Sequence, residues 1–338
     1  MPNRFLRPLG GLIALAASVG ILVPASASAD DVVANVRVLT PNKTLEPGAS
    51  YVTGTESLKT DPNARCFIGG VGGSGDRVRM EGATALGLVR SARDWNQALD
   101  PISVTDEFGF GLGVCGIGGK KGNADRFWAL TLNHVDPAMS GDQVQVSDGD
   151  EVLWYLTTFP PPAELEITEW PAGAAPGTVS VTVVEHSCTT DSEPPFEVHC
   201  TTETDIDGAT IEGGDSPAVT TDGVAQVPVS SGQVDLRATL GTDIASNVAD
   251  VCVSGTPGDC PASDDPHGAT IYGRDRADRF PGTPGWDRIK AGAGDDRVDL
   301  TDGGVDHVNC GGGHDRVRIV ASDDDDHVSQ NCERVIET

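Results

Sequence analysis

The sequence predicts a mainly-β, multidomain protein with three parts: an α+β domain, a β-sandwich and a C-terminal parallel β-roll. A nine-residue repeat of glycine, aspartate and an aliphatic residue fills the end of the chain. Short apolar strands separated by Gly and Asp turns fill the middle. The first part combines such strands with one amphipathic helix. The predicted boundaries are 30–168, 178–256 and 268–338, joined by linkers at 169–177 and 257–267.

A secretory signal peptide is predicted at residues 1–29. Arg4 and Arg7 form its basic head, an apolar run follows, and Ala27-Ser28-Ala29 fits the cleavage pattern. The apolar run is too short for a membrane span, so no membrane insertion is expected. We therefore expect a secreted protein, either extracellular or held at the cell surface.

The first domain is expected to be a small sheet with one helix. Alternating or apolar runs predict strands at 32–38, 127–132 and 152–156. In the segment 84–95, apolar residues recur at spacings of three and four, which predicts a helix. Residues 165–168 are expected to form the last strand of this domain.

A series of aromatic and turn residues in the first domain resembles a known family. Phe127-Trp128 leads to Asn133, Ser140-Gly141 follows, and the segment 147–154 reads Ser-Asp-Gly-Asp-Glu-Val-Leu-Trp. This series resembles the C-terminal domain of transcobalamin, which helps to close over a corrinoid. The resemblance implies a β-grasp-like fold. Trp128 and Trp154, with Tyr155, could line a ligand surface, but packing in the core and at the edge of the strands is favoured.

The middle of the chain predicts a β-sandwich. Strands are expected every 8–12 residues, at 179–184, 208–214, 220–227, 232–239 and 248–253, with Gly and Asp turns between them. The series Gly-Ala-Thr-Ile followed by Thr-Thr-Asp-Gly-Val-Ala resembles bacterial immunoglobulin-like or carboxypeptidase-regulatory-like domains. That resemblance implies a spacer or a binding module and no catalysis.

The end of the chain follows the template Gly-Gly-x-Gly-x-Asp-x-apolar-x, the repeat of a parallel β-roll. Its aspartates recur at intervals of nine, nine, ten, nine and eleven residues: Asp278, Asp287, Asp296, Asp306, Asp315 and Asp326. Each is followed two residues later by an apolar residue that is expected to point inward: Phe280, Ile289, Val298, Val308, Val317 and Val328. The series is similar to the haemolysin-type calcium-binding repeats of secreted bacterial proteins, in a degenerate form that lacks several glycines.

Calcium is the expected cofactor of this roll. If two repeats make one coil, alternate turns stack on one edge, and their oxygen atoms can surround a hard cation. The predicted ligands, from the strongest edge to the weaker one, are Asp296 and Asp315 with Gly294 and Gly313, then Asp287 and Asp306. The alternative is a metal-free roll in which an arginine after each aspartate neutralises the turn. These arginines are Arg279, Arg288, Arg297 and Arg316.

Eight cysteines in an exported chain predict four disulfides. Pairing of neighbours would give Cys66–Cys115, Cys188–Cys200, Cys252–Cys260 and Cys310–Cys332. In the middle of the chain, pairing of 188 with 252 and of 200 with 260 is the alternative. His186, Cys188, His199 and Cys200 could also be drawn as a zinc site, but a disulfide hairpin is favoured.

The net charge of −28 argues against nucleic acid and anionic membranes as partners. No nucleophile-elbow, metalloprotease or phosphate-loop motif occurs, and paired acids for a hydrolase could be chosen only arbitrarily. We therefore expect a non-enzymatic binding or structural protein whose partners are Ca²⁺ and an unidentified extracellular ligand or surface component. The alternative is a carrier or receptor for a small, corrinoid-like molecule in the first domain.

Overall fold

The computed structural model describes residues 31–66, 72–190, 198–256, 258–321 and 326–338. The predicted signal peptide lies outside these residues. Among them nearly all regular structure is strand, which confirms the prediction of a mainly-β, multidomain fold. Buried apolar side chains form three large clusters, one in each predicted part of the chain.

The first domain contains the only α-helix of the described residues. Its elements are β1 (Val32–Thr40), β2 (Lys43–Thr53), β3 (Glu56–Lys59), β4 (Arg77–Met80), α1 (Ala85–Trp95), a 3₁₀ turn (Gln97–Leu99), β5 (Ser103–Thr105), β6 (Gly113–Ile117), β7 (Lys120–Lys121), β8 (Phe127–Leu132) and β9 (Glu151–Thr157).

The main sheet of this domain has the order β2-β1-β9-β8. The two central strands, β1 and β9, are parallel, and each outer strand is antiparallel to its neighbour. Helix α1 begins after Thr84, whose side chain caps the helix by accepting a hydrogen bond from the Gly87 N–H at 3.0 Å. Its buried face, with Leu88 and Val89, packs on the sheet. A helix across a mixed sheet of this order is a β-grasp-like arrangement.

The sandwich is built from two sheets around its own core. Its strands are β10 (Glu164–Glu169), β11 (Gly173–Ala174), β12 (Gly177–Thr190), β13 (Val198–Glu203), β14 (Thr210–Glu212), β15 (Ala218–Val219), β16 (Val224–Val229), β17 (Gly232–Thr239) and β18 (Ala249–Val253). Strand β10 pairs with β12, and Leu165 and Ile167 are buried in the sandwich core. The expectation that 165–168 end the first domain is therefore wrong, and the predicted linker 169–177 contains β11.

The C-terminal segment forms the predicted parallel β-roll. Its strands are β19 (Thr270–Tyr272), β20 (Arg279–Pro281), β21 (Arg288–Lys290), β22 (Arg297–Leu300), β23 (His307–Asn309), β24 (Arg316–Ile319), β25 (His327–Val328) and β26 (Arg334–Glu337). Odd-numbered strands pair in parallel in one sheet and even-numbered strands in the other, so two repeats make one coil. The inward residues align in register, from Ile271 to Val328 on one side and from Phe280 to Val317 on the other. Val335 continues the second column at the end of the roll, where it is exposed.

The roll continues the sheet of the first domain instead of standing apart from it. Strand β19 pairs in parallel with β2, which produces one eight-stranded sheet. Val33 and Val52 from the first domain join the core of the roll, and Tyr51 stacks on Tyr272 with ring centroids 5.3 Å apart. The first domain thus covers the first apolar layer of the roll, a role that the sequence analysis did not assign to it.

All four neighbouring cysteine pairs form disulfides, so the alternative pairing in the middle of the chain is wrong. Cys310–Cys332 ties the end of the chain to the roll core. Disulfides of this number are typical of an oxidising compartment. Within the described residues, no helix is long and apolar enough to cross a membrane.

Candidate metal centre in the roll turns

The repeat aspartates lie in the turns and point inward. Asp278, Asp287, Asp296, Asp306 and Asp315 are all buried. In Asp287, Asp296, Asp306 and Asp315 one carboxylate oxygen links neighbouring coils, because it accepts a hydrogen bond from the backbone N–H of a residue one coil earlier. On one edge, Asp278 N–H donates to Asp296 Oδ1 and Asp296 N–H donates to Asp315 Oδ1, both at 2.8 Å. On the other edge, Asp287 N–H donates to Asp306 Oδ1 at 2.9 Å. The structure therefore stacks each predicted pair on its expected edge.

The turns differ in whether the second carboxylate oxygen of the repeat aspartate has a hydrogen-bond partner. Oδ2 of Asp296, Asp306 and Asp315 is buried and accepts no hydrogen bond within the described part of the chain. A buried polar atom without a partner costs about 1–3 kcal/mol, and more when it carries charge. These three turns therefore present carboxylate oxygens that lack the partner a buried charge requires.

Two other turns already satisfy their aspartates. Arg274 reaches Asp278 Oδ1 through Nε at 2.8 Å and through Nη2 at 2.6 Å. In the next turn, Thr283 donates its backbone N–H and its hydroxyl to the two oxygens of Asp287. The predicted Asp287/Asp306 edge is thus uneven, because only Asp306 retains an unpartnered oxygen. The Asp296/Asp315 edge has one on each aspartate.

The environment of these carboxylates disfavours negative charge. Burial, reinforced by neighbouring carboxylates, raises the pKa of Asp296 to about 7 and that of Asp306 to about 8. The pKa of Asp315 is raised for the same two reasons. Stacked strands are about 4.8 Å apart, so each unpartnered oxygen lies close to the negative charge of the next coil. The turns can ionise at neutral pH without this repulsion only if a cation compensates them.

Backbone glycines allow the turns to stack this closely. Gly294 and Gly313 have φ of +137° and +148°, a region that residues with a side chain rarely adopt. A Cβ on Gly313 would lie 1.7 Å from the Gly294 carbonyl oxygen, closer than any atom can approach. The missing side chain at Gly313 therefore lets the Gly294 carbonyl lie against the next turn, and a turn carbonyl is a further oxygen ligand for a hard cation.

The arginines that follow the aspartates do not neutralise the turns. Arg279, Arg288, Arg297 and Arg316 are exposed on the outer faces of the sheets, and none forms an ion pair with a turn aspartate in the described residues. The prediction that these arginines neutralise the turns is wrong, because period-two alternation turns each arginine away from the inward aspartate before it. The neutralising arginine is Arg274, which sequence reasoning missed. The sequence feature that could have indicated this role is that Arg274 occupies the second position of the first repeat, where the template has glycine.

The tryptophans predicted to line a ligand surface are mainly core residues. Trp128 and Trp154 are both buried, and their Nε1–H groups donate to the Lys120 and Ala85 carbonyls at 2.9 and 3.3 Å. Both also contribute to the wall of a cleft of about 540 Å³, whose rim includes Phe110 and Met139. The two tryptophans therefore pack in the core, as expected from the sequence, and a ligand surface at this cleft stays a prediction.

The zinc site that could be drawn from His186, Cys188, His199 and Cys200 is contradicted by the structure. Cys188 and Cys200 are joined as a disulfide, so neither is a thiolate ligand. His186 instead contacts Glu166 and stacks on His134 of the first domain.

Comparison of the chain with protein-family models, with curated proteins and with solved structures finds no match. The resemblances to the transcobalamin C-terminal domain, to immunoglobulin-like domains and to haemolysin-type repeats therefore stay predictions, and the chain is assigned to no family.

Proposed function

We propose that this chain is a secreted or cell-surface, non-enzymatic binding or structural protein whose roll is stabilised by Ca²⁺ at the Asp296/Asp315 edge. The observation that carries the proposal is the pair of buried Oδ2 atoms of these aspartates, which have no partner in the described residues. The contrast with Asp278 strengthens it. Where the roll supplies a cation of its own, Arg274, the carboxylate is satisfied; where it does not, the oxygen is left without a partner.

The donor atoms favour calcium over other cations. They are carboxylate oxygens and turn carbonyls, which hard cations prefer. Ca–O bonds of about 2.3–2.6 Å on either side of an ion span the roughly 4.8 Å between stacked coils. Mg²⁺ needs bonds of about 2.0–2.1 Å and a stricter octahedron, so it fits this spacing less well.

Binding of calcium would act as folding energy. The ion interacts with the stacked turns of the folded roll and not with the unfolded chain, so it stabilises the fold by mass action. At a free concentration one hundred times Kd the gain is about 2.7 kcal/mol for one site. A roll that calcium stabilises suits a protein that leaves the calcium-poor interior of a cell. The four disulfides also favour an oxidising compartment outside the cytosol. An extracellular ligand or surface component remains the expected partner.

Calcium titration of the chain without residues 1–29 tests the proposal. We expect calorimetric binding with a rise in thermal midpoint, and loss of the tightest site in the double variant D296A/D315A. Asp299→Asn is the matched control, because Asp299 belongs to the roll but its carboxylate pairs outward with Arg318 at 2.7 Å. Unchanged affinity in the double variant, or equal loss in the control, would reject the assignment.

A second candidate function is binding of a small molecule by the first domain. The observation that favours it is the cleft beside Trp128 and Trp154, whose volume of about 540 Å³ falls in the range of ligand sites. Two apolar side chains on its rim are unusually exposed, Phe110 at 55 % and Met139 at 54 %. Covering them would remove apolar surface from water.

Equilibrium dialysis against cyanocobalamin, as a representative corrinoid, tests this candidate. We expect the wild type to bind cyanocobalamin, and the Phe110→Ala and Met139→Ala variants to bind it at least tenfold more weakly. Phe159→Ala is the control, since Phe159 is 78 % exposed and does not line the cleft. The absence of binding by the wild type would exclude a corrinoid as the ligand, and equal binding by all variants would exclude this cleft as its site.

A further inference from the structure

A cluster of histidines and glutamates lies where the first domain meets the sandwich. His134 follows β8 of the first domain, whereas Glu166 and His186 lie on β10 and β12 of the sandwich. The three side chains are only partly exposed, at between 14 % and 23 %. They come from three separate elements, so their convergence is a property of the assembled fold.

Three ligand-type atoms converge in this cluster. Glu166 Oε2 lies 2.7 Å from His186 Nε2 and 3.3 Å from His134 Nε2. The two imidazole rings are stacked, with centroids 4.1 Å apart and planes 8° from parallel. One atom from each residue lies within 4.8 Å of the other two. In a tetrahedral site with bonds of roughly 2.0–2.1 Å, ligand atoms are about 3.3 Å apart, so small shifts of these side chains make room for an ion.

The other nitrogen of each ring is held by a second residue. His134 Nδ1 lies 2.9 Å from Glu164 Oε1, and His186 Nδ1 lies 2.9 Å from Thr202 Oγ1. Metal-bound histidines in proteins nearly always donate their other ring N–H to a carboxylate, a backbone carbonyl or water, which fixes the tautomer and the ring orientation. Glu164 is such a partner for His134, and the Thr202 hydroxyl takes the corresponding place at His186. It leaves both Nε2 atoms to face Glu166.

The backbone at His134 is held in an uncommon conformation. Asn133 and His134 have φ of +50° and +65°, which is unusual for residues other than glycine. The Asn133 side chain bonds to Asp150 Oδ1 and to the Glu151 N–H, both at 2.8 Å, and so fixes the turn. Strained turns that are held in place by their surroundings occur preferentially at functional sites.

A neighbouring set of acids does not compete for the same role. Glu151 and Glu164 also lie near His134, but both are ion-paired with the fully buried Arg37. A divalent ion there would have to displace a guanidinium that has no exposure to solvent. Glu166 contacts only His134 and His186 among the ion pairs of the described residues, so its carboxylate is available as a ligand.

We propose that His134 Nε2, His186 Nε2 and the Glu166 carboxylate bind a divalent transition metal ion, with Zn²⁺ as the best fit. Two imidazole nitrogens and one carboxylate are a donor set that zinc accepts and that calcium, which takes oxygen ligands, does not prefer. A water molecule would complete the tetrahedron. The ion would join the turn after β8 to two strands of the sandwich and so fix the angle between these two parts of the protein.

Zinc titration of the full chain without residues 1–29 and without an affinity tag, in excess Ca²⁺, tests this proposal. We expect one Zn²⁺ per chain, with affinity reduced at least tenfold in His134→Ala and in His186→Ala. His307→Ala and His327→Ala are matched controls, because these residues form another close pair of rings, 4.5 Å apart, on the roll. Calcium binding, measured in parallel, is expected to be unchanged in all four variants, which shows that they fold.

Two further measurements separate a built site from chance binding. X-ray absorption at the zinc edge is expected to give only nitrogen and oxygen ligands, since the cysteines of all four described disulfides are oxidised. Thr202→Val, which removes the partner of His186 Nδ1 but no ligand, is expected to weaken zinc binding by about ten- to one-hundred-fold. Three results would overturn the proposal: equal zinc affinity in the wild type and the histidine variants, sulfur in the coordination sphere, or no binding at micromolar zinc. The cluster would then be an ion-pair network between protonated histidines and glutamates.

Discussion

Replacing Arg37 by methionine is expected to destabilise the protein by about 3–5 kcal/mol. Arg37 lies on β1, is completely buried, and is the positive partner of Glu151 and Glu164. Its Nη1 also donates to the Ala245 carbonyl of the sandwich at 3.0 Å. Methionine fills most of the volume but leaves Glu164, itself 4 % exposed, without its main counter-charge. The contact of Glu164 with His134 remains, but a buried carboxylate that loses its main counter-charge costs far more than the ion pair itself contributes.

Urea denaturation followed by tryptophan fluorescence, in constant Ca²⁺, measures the effect. Arg79→Met is the control, because Arg79 pairs with Glu81 on the open surface and such a pair contributes at most about 1 kcal/mol. The double variant R37M/E164Q is expected to recover part of the loss, since it removes the uncompensated charge as well. A loss no greater than that of Arg79→Met would show that the buried ion pair is not needed for stability, and a double variant as unstable as the single one would show that the uncompensated charge of Glu164 is not the cause of the loss.

The roll could be predicted in detail because its fold is encoded locally. Each repeat carries its own turn glycine, its aspartate and its inward aliphatic, so the register follows from counting residues. The attachment of the roll to the first domain could not be predicted in this way. It depends on an edge strand, β2, that is 220 residues or so away in the chain, and edge pairing leaves no periodic signal. The only hint is that β1 is buried on both faces, with Val33 toward the roll and Val36 toward α1.

The candidate sites were predictable to different degrees for a similar reason. The spacing placed Asp296 and Asp315 on one edge, but spacing says nothing about which oxygen lacks a partner. That depends on Arg274 and Thr283, single substitutions within degenerate repeats. The histidine–glutamate cluster was missed because it requires His134 and His186 to meet across two parts of the chain. A single histidine in a turn gives no sign of the partner that the fold will bring to it.

Asparagine at position 296 is expected to have opposite effects with and without calcium. The raised pKa of Asp296, about 7, means that the folded state holds the proton more tightly than the unfolded state. Below the ordinary pKa of an aspartate, near 4, the carboxyl is neutral in both states and its burial costs little. As pH rises from about 4 to about 7, the unfolded chain ionises first and the metal-free fold loses stability. Asp306, with a pKa of about 8, extends this loss to higher pH.

Calcium reverses this dependence, because it binds the ionised carboxylates and its stabilisation grows as they lose their protons. Asparagine keeps the oxygen that accepts the Asp278 N–H but cannot ionise. We therefore expect Asp296→Asn to raise the thermal midpoint in EDTA at pH 8, and to have little effect in EDTA at pH 4. In millimolar Ca²⁺ at pH 8 the same variant should lie below the wild type, by up to about 2.7 kcal/mol per site lost. Thermal scans of both proteins in these three conditions decide the matter: a variant that is less stable than the wild type in EDTA at pH 8 would mean that the buried carboxylate is already compensated and that no ion is needed.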